Sequence, residues 1–72
     1  MQIAALRSEL GLSQEAFARL VGLTSKSYVS ELENAKPARC SVRVALEIER
    51  LSAGRIEAAS LNPGVALVRG AE

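Results

Sequence analysis

The sequence predicts a compact all-α domain of four to five short helices, and three observations carry that expectation. Apolar residues recur three and four positions apart in several separate segments, the spacing that lines one face of a helix. The segments are punctuated by Gly11, Gly22, Pro37 and Gly54, residues that end helices rather than continue them. The apolar fraction is 49%, with Phe17 and Tyr28 the only aromatics, so the core must be aliphatic; Ala and Leu favour helix.

Taken in order, Ile3, Leu6 and Leu10 lie at i, i+3 and i+7, a helical stripe that Gly11 stops. Ser13 is a good N-cap for a second helix, Gln14 to Val21, with Phe17, Leu20 and Val21 on one face, small Ala16 and Ala18 beside them, and Gly22 at its end. A third helix starts near Thr24 or Ser25. Its apolar edge is thin, Val29 and Leu32 three apart, while Lys26, Ser27, Ser30, Glu31 and Asn34 are polar. Such a helix buries too little to exist for its own core, so something polar is expected on its other side. Residues 35–40 read as a loop, because Pro37 biases Lys36 away from helix.

A fourth helix is capped by Ser41 and runs to about Ser52, with Val44, Ile48 and Leu51 on one stripe and Val42, Ala45 and Leu46 widening it. An arc that wide exceeds what a one-sided surface helix needs. It marks either the central helix of the domain or a face shared with a second subunit. Gly54 ends this helix, Arg55-Ile56 reads as extended, Glu57 to Leu61 as one helical turn, and Asn62-Pro63-Gly64 as a turn. The run Val65 to Val68 is too short for periodicity to choose among a strand, a final helical turn and a dimer arm. Residues 69–72 are expected to fray. The division is therefore a domain over 1–63 and an irregular or extended tail over 64–72, a possible dimer contact.

Composition narrows the function. At 72 residues one domain is expected, with no separate ligand-binding domain. A domain this size buries only about 60% of the surface its unfolded chain exposes, so a partner subunit would add stability. The net charge of +1 requires any nucleic-acid surface to be local, with the acids placed elsewhere. His and Asp are absent, which removes the usual general base, the usual zinc ligand and any Ser-His-Asp arrangement. No partner that would activate Cys40 stands near it, so neither an enzyme nor a cofactor or metal site is expected. The lone thiol admits no internal disulfide and fits a reducing cytoplasm, and no apolar run approaches the ~20 residues of a membrane span or the pattern of a signal peptide.

The informative constellation is the second and third segments with Gly22 between them. Small Ala18 permits close helix crossing, and Gly22 accepts a positive φ at a sharp turn. Two short helices so joined form a helix-turn-helix, whose second helix can enter the ~12 Å major groove. The stretch from Leu12 to Gly22, followed by Val29-Ser30-Glu31-Leu32-Glu33-Asn34-Ala35-Lys36, resembles the phage Cro and repressor (lambda-repressor-like) helix-turn-helix family. Val42 to Leu51, Gly54-Arg55-Ile56 and Leu61-Asn62-Pro63 are similar to short Cro-like and antitoxin-like members. The resemblance covers roughly residues 1–63, and two departures stand out. Aligned to the family without a gap, Tyr28 and Glu31 would be buried, at a cost for Glu31. A turn one residue longer, Leu23-Thr24-Ser25, makes Ser25 the N-cap and Lys26 the first helical residue, and puts Val29 and Leu32 inside. Ala35 stands where the family favours glycine, so Asn34 is expected in the left-handed cap.

The resemblance implies a bacterial or phage-related transcriptional regulator, a repressor binding a palindromic operator as a homodimer in the cytoplasm, at the nucleoid. It places Ser25, Lys26, Ser27, Ser30 and Glu31 at base edges, where Lys26 suits guanine O6/N7 and Glu31 accepts from cytosine N4. It places Gln14, Asn34, Lys36 and Arg39 at phosphates, Gln14 beside the amides of a helix N-terminus; the hydroxyl of Tyr28 can reach a phosphate or pack on the rim. Singly, Lys26 and Arg19 read as ordinary exposed charges, and Arg43, Arg50 and Arg55 are expected to pair with Glu47, Glu49 and Glu57. Glu31 and Glu33 would oppose a phosphate they faced. Two alternatives remain: an antitoxin that binds a toxin and represses its own operon, and an interaction module without DNA binding.

Overall fold

A computed structural model of the chain describes residues 2–35 and 38–70, the side chains of 68–70 excepted. The described residues form six helices and no strand: α1 (Ile3–Glu9), α2 (Gln14–Val21), α3 (Lys26–Asn34), α4 (Val42–Leu51), α5 (Ala58–Leu61) and α6 (Gly64–Gly70). The all-α expectation holds, with the helices wrapped around one aliphatic cluster in which Leu6, Phe17, Val29, Ala45, Ile48, Ala58 and Val65 are fully buried. None of the helices is long and apolar enough to cross a membrane.

Local chemistry accounts for the boundaries. The Ser13 hydroxyl accepts from Ala16 N at 3.1 Å and the Ser41 hydroxyl from Val44 N at 3.3 Å, so both predicted caps satisfy amides that a helix start leaves open. Gly22 closes α2 at φ +84, and Leu23 N donates to Ala18 O at 2.7 Å, the six-to-one bond of a left-handed helix stop. α4 buries Val44, Ala45 and Ile48 and leaves Val42, Leu46 and Leu51 partly covered; α2, α5 and α6 pack on it, so it is the central helix of the domain.

Three expectations are corrected here. Arg55-Ile56 is a turn and not extended: Arg55 N donates to Ser52 O and Ile56 N to the buried Ser52 hydroxyl, which itself donates to Glu49 O. The irregular or extended segment expected after residue 63 is helical. Asn62 makes that possible, since its Oδ1 accepts from Gly64 N at 2.8 Å while its Nδ2 donates to Cys40 O at 2.9 Å, and Val65 then buries fully against the core. Asn34 does not take a left-handed cap: it ends α3 within the helix and Ala35 leaves it extended, at φ −72 and ψ 142. The expectations for Lys36 and Pro37, and for residues 71–72, fall outside the described residues.

Among the described non-glycine residues, Ala53 alone has a positive φ, +54, because the chain reverses after α4 through Ala53-Gly54. A left-handed L-residue costs roughly 1–2 kcal/mol. Ala53→Gly is therefore expected to stabilise the domain by about 0.5–1 kcal/mol, once the greater unfolded-state freedom of glycine is set against the relief; urea denaturation checks it. Val29→Asp, which buries a carboxylate at a fully enclosed site, is expected to abolish the cooperative melt seen by circular dichroism.

Candidate nucleic-acid interface

α2 and α3 form the most extensively packed pair of helices in the domain. Phe17, Ala18 and Val21 on α2 and Val29 and Leu32 on α3 are buried in the same cluster. The longer turn proposed from the sequence is the one observed. Ser25 occupies the N-cap position, Lys26 begins α3, and Val29 and Leu32 are 0% and 6% exposed against 52% for Tyr28. Glu31, which an ungapped alignment would bury, is exposed.

Helical spacing then sorts the side chains of α3. Ser27, Ser30, Glu31 and Asn34 lie at i, i+3, i+4 and i+7, one stripe on the flank opposite the anchoring pair. Lys26 and Ser25 stand exposed at the start of the same helix. The five residues assigned to base edges are thus brought together at the start and along the outer flank of α3, with only Ser30 partly covered. The Ser25 hydroxyl makes no capping bond and stays available.

The phosphate candidates are more scattered in their commitments. The amide of Asn34 turns back along its own helix, donating to Ser30 O at 2.8 Å. Arg39 donates through Nη1 to Ser60 O at 3.0 Å, which ties the loop after α3 to α5. Tyr28 and Arg39 line a common groove of about 450 Å³, together with Glu31 and Cys40. Burial pushes the Cys40 thiol up, away from the reactive thiolate. Gln14 opens α2 and spends one amide hydrogen on Glu33 Oε2 at 3.1 Å. Lys36 lies outside the described residues.

Charge pairing differs from expectation in partner and in place. Arg50 pairs with Glu47 as foreseen, at 2.7 Å, but Arg55 reaches Glu9 of α1 at 3.0 Å and Glu49 Oε2 accepts from Ala58 N at the start of α5. Arg19 pairs with Glu15 within α2. Glu33 does not face the outer flank. It lies four residues after Val29, on the anchored side, where its carboxylate takes Arg7 Nη2 at 2.9 Å and Nε at 3.0 Å as well as Gln14 Nε2. Arg7 also donates to Leu12 O at 3.1 Å, so one network joins α1, the α1–α2 link, the start of α2 and the end of α3. The i+4 spacing from Val29 is the sequence signal for this placement, and it separates Glu33 from Glu31 although both are acidic and only two residues apart.

Burial works to raise the Glu33 pKa, but the hydrogen bonds from Arg7 and Gln14 and the charge of Arg7 hold it below the usual carboxylate value. A carboxyl with a lowered folded-state pKa contributes stability above its unfolded value, about 4.3, and loses that contribution as pH falls through the folded value. Glu33→Gln is accordingly expected to destabilise by about 2 kcal/mol at pH 7, the scale of charged hydrogen bonds, and the deficit should shrink steadily below pH 4. Urea melts of both proteins from pH 3 to pH 7 check this; a deficit independent of pH would refute it.

Residues 1–54 match the family model described as a helix-turn-helix domain. No curated protein and no solved structure matches the chain.

Proposed function

This chain belongs to the helix-turn-helix domain family, a family of DNA-binding regulators, and on that premise we propose that it is a sequence-specific repressor of the Cro and phage-repressor kind, acting as a homodimer on a palindromic operator. The observation that carries the reading is α3: a helix held by two apolar side chains and the Glu33 carboxylate, with Ser27, Ser30, Glu31 and Asn34 aligned along its free flank. A helix of that form presents side chains to the base edges of a major groove.

Lys26, Ser25, Ser27, Ser30 and Glu31 are the readers in this proposal. Lys26 donates to guanine O6/N7, Glu31 accepts from cytosine N4, and the serines serve either partner. Gln14, Tyr28, Lys36 and Arg39 hold the backbone, and Asn34 supports Ser30 or turns to a phosphate. Five base-edge positions from one module discriminate few sites, so two copies related by a two-fold axis, reading half-sites about one helical turn apart, supply the affinity. Exposed Leu67 on α6, 80% accessible, is an apolar side chain free for such a contact. Occlusion of a promoter by the bound dimer is then repression without further machinery, and the work is done at the nucleoid.

Selection of bound duplexes from a random library tests the reading, with an inverted repeat as the expected product and no enrichment as the result that defeats it. On the selected duplex, Lys26→Ala and Ser27→Ala are expected to narrow the gap between specific and scrambled DNA by about tenfold, the scale of one lost base contact. Lys36→Ala should weaken both duplexes alike and lower the salt slope by about 0.9. Equal losses on both duplexes for all three variants would defeat the assignment of roles.

A further inference from the structure

Gln14 and Glu33 face each other in a way that bears on how the DNA backbone is held, granted the reading of Gln14 as a phosphate contact. A side-chain amide has two ends of opposite character, an NH₂ that donates and a carbonyl that accepts, and a phosphate only accepts. A glutamine free to turn about its last bond presents the wrong end in half its orientations. Glu33 removes that choice. Its ionised carboxylate can only accept, so it draws the NH₂ of Gln14 and turns the carbonyl away. Glu33 cannot swing to meet some other partner. Arg7 grips its carboxylate through Nε and Nη2, and its side chain is 8% exposed.

The Gln14 Nε2 carries two hydrogens, and among the described residues only Glu33 accepts from it. The second hydrogen projects from the first residue of α2, beside backbone amides of that helix start which the Ser13 hydroxyl does not take. Arg7 completes the arrangement, because its guanidinium neutralises a carboxylate that would otherwise repel an approaching phosphate.

We propose that Glu33 is a positioning residue for DNA binding: held by Arg7, it fixes the Gln14 amide so that one hydrogen stays on the protein and the other meets a backbone phosphate. The role differs from that of a fold-stabilising ion pair, because it depends on residue 33 showing Gln14 an acceptor and no donor. A glutamine there gives its one oxygen to Arg7 and turns an NH₂ toward Gln14, which draws the carbonyl instead; a leucine draws neither end.

Gln14→Ala is therefore compared in three backgrounds, wild type, Glu33→Gln and Glu33→Leu, by titrating a pool of random-sequence duplexes at low salt. Each variant is first shown to be folded by its circular-dichroism melt. The expected cost of Gln14→Ala is about tenfold in wild type, the scale of one hydrogen bond to a charged group, about fivefold in Glu33→Leu, where half the orientations of the freed amide still donate, and close to onefold in Glu33→Gln. A tenfold cost in all three backgrounds, or none in any, overturns the positioning role while leaving DNA binding intact. Failure of the wild type to bind the pool overturns the DNA-binding reading itself. Should Glu33→Leu not fold, the side-chain amide signals of Gln14 decide, and they are easily resolved because only Gln2, Asn34 and Asn62 carry others. One Gln14 hydrogen exchanging more slowly than its twin in the free protein, with the twin shifting on addition of duplex, is the expected result. Two hydrogens that exchange alike, or a bound state in which neither moves, overturns the proposal.

Discussion

The proposed function rests on how α3 is attached. A nine-residue helix is marginal by itself in water, and this one has no acidic residue in its first turn and no basic one in its last. It persists because Val29 and Leu32 enter the core, each burial stabilising by roughly 1.5–3 kcal/mol. Hydrophobic contact, however, is not directional. Two apolar side chains set the depth of a helix better than its rotation about its own axis. Rotation is set by the Glu33 carboxylate, whose bonds to Arg7 and Gln14 have fixed geometry and come from two other helices. The greasy pair supplies most of the adhesion and the ion pair the alignment.

The economy of charge follows from the same arrangement. The chain is nearly neutral, which would disfavour contact with a polyanion if its acids were evenly spread. They are not. Glu33 is turned to Arg7, Glu9 to Arg55, Glu15 to Arg19 and Glu47 to Arg50, and Glu49 serves the start of α5. On α3 this leaves Glu31 as the exposed carboxylate of the outer flank, facing the same solvent as Lys26. A carboxylate so placed disfavours phosphate and favours an amino donor, so in the proposed role it serves discrimination more than adhesion.

Much of this was legible in the sequence, for identifiable reasons. The caps at Ser13 and Ser41 and the stop at Gly22 are local, each decided by bonds within a few residues. The register of α3 was legible because the ungapped alternative would have buried Glu31, an expense large enough to decide for a turn one residue longer. What escaped were long-range partners. Nothing near Arg7 announces Glu33, 26 residues away, and nothing near Arg55 announces Glu9, 46 residues away. The end of α3 escaped for another reason: Asn34 had two ways to satisfy its amide, and the bond back to Ser30 won over the left-handed turn. α6 was beyond periodicity because the apolar run Val65 to Val68 is only four residues long, and Val65 settles against α4 and α5 only once Asn62 has turned the chain.

The narrow attachment of α3 has an evolutionary corollary. Ser25, Lys26, Ser27 and Glu31 are exposed and belong to no part of the aliphatic cluster, so their identities carry almost no folding information. Lineages descending from such a chain are free to drift at those positions while keeping the same scaffold. In the proposed role, preference for one target can thus be exchanged for another in single steps, each passing through a well-folded intermediate.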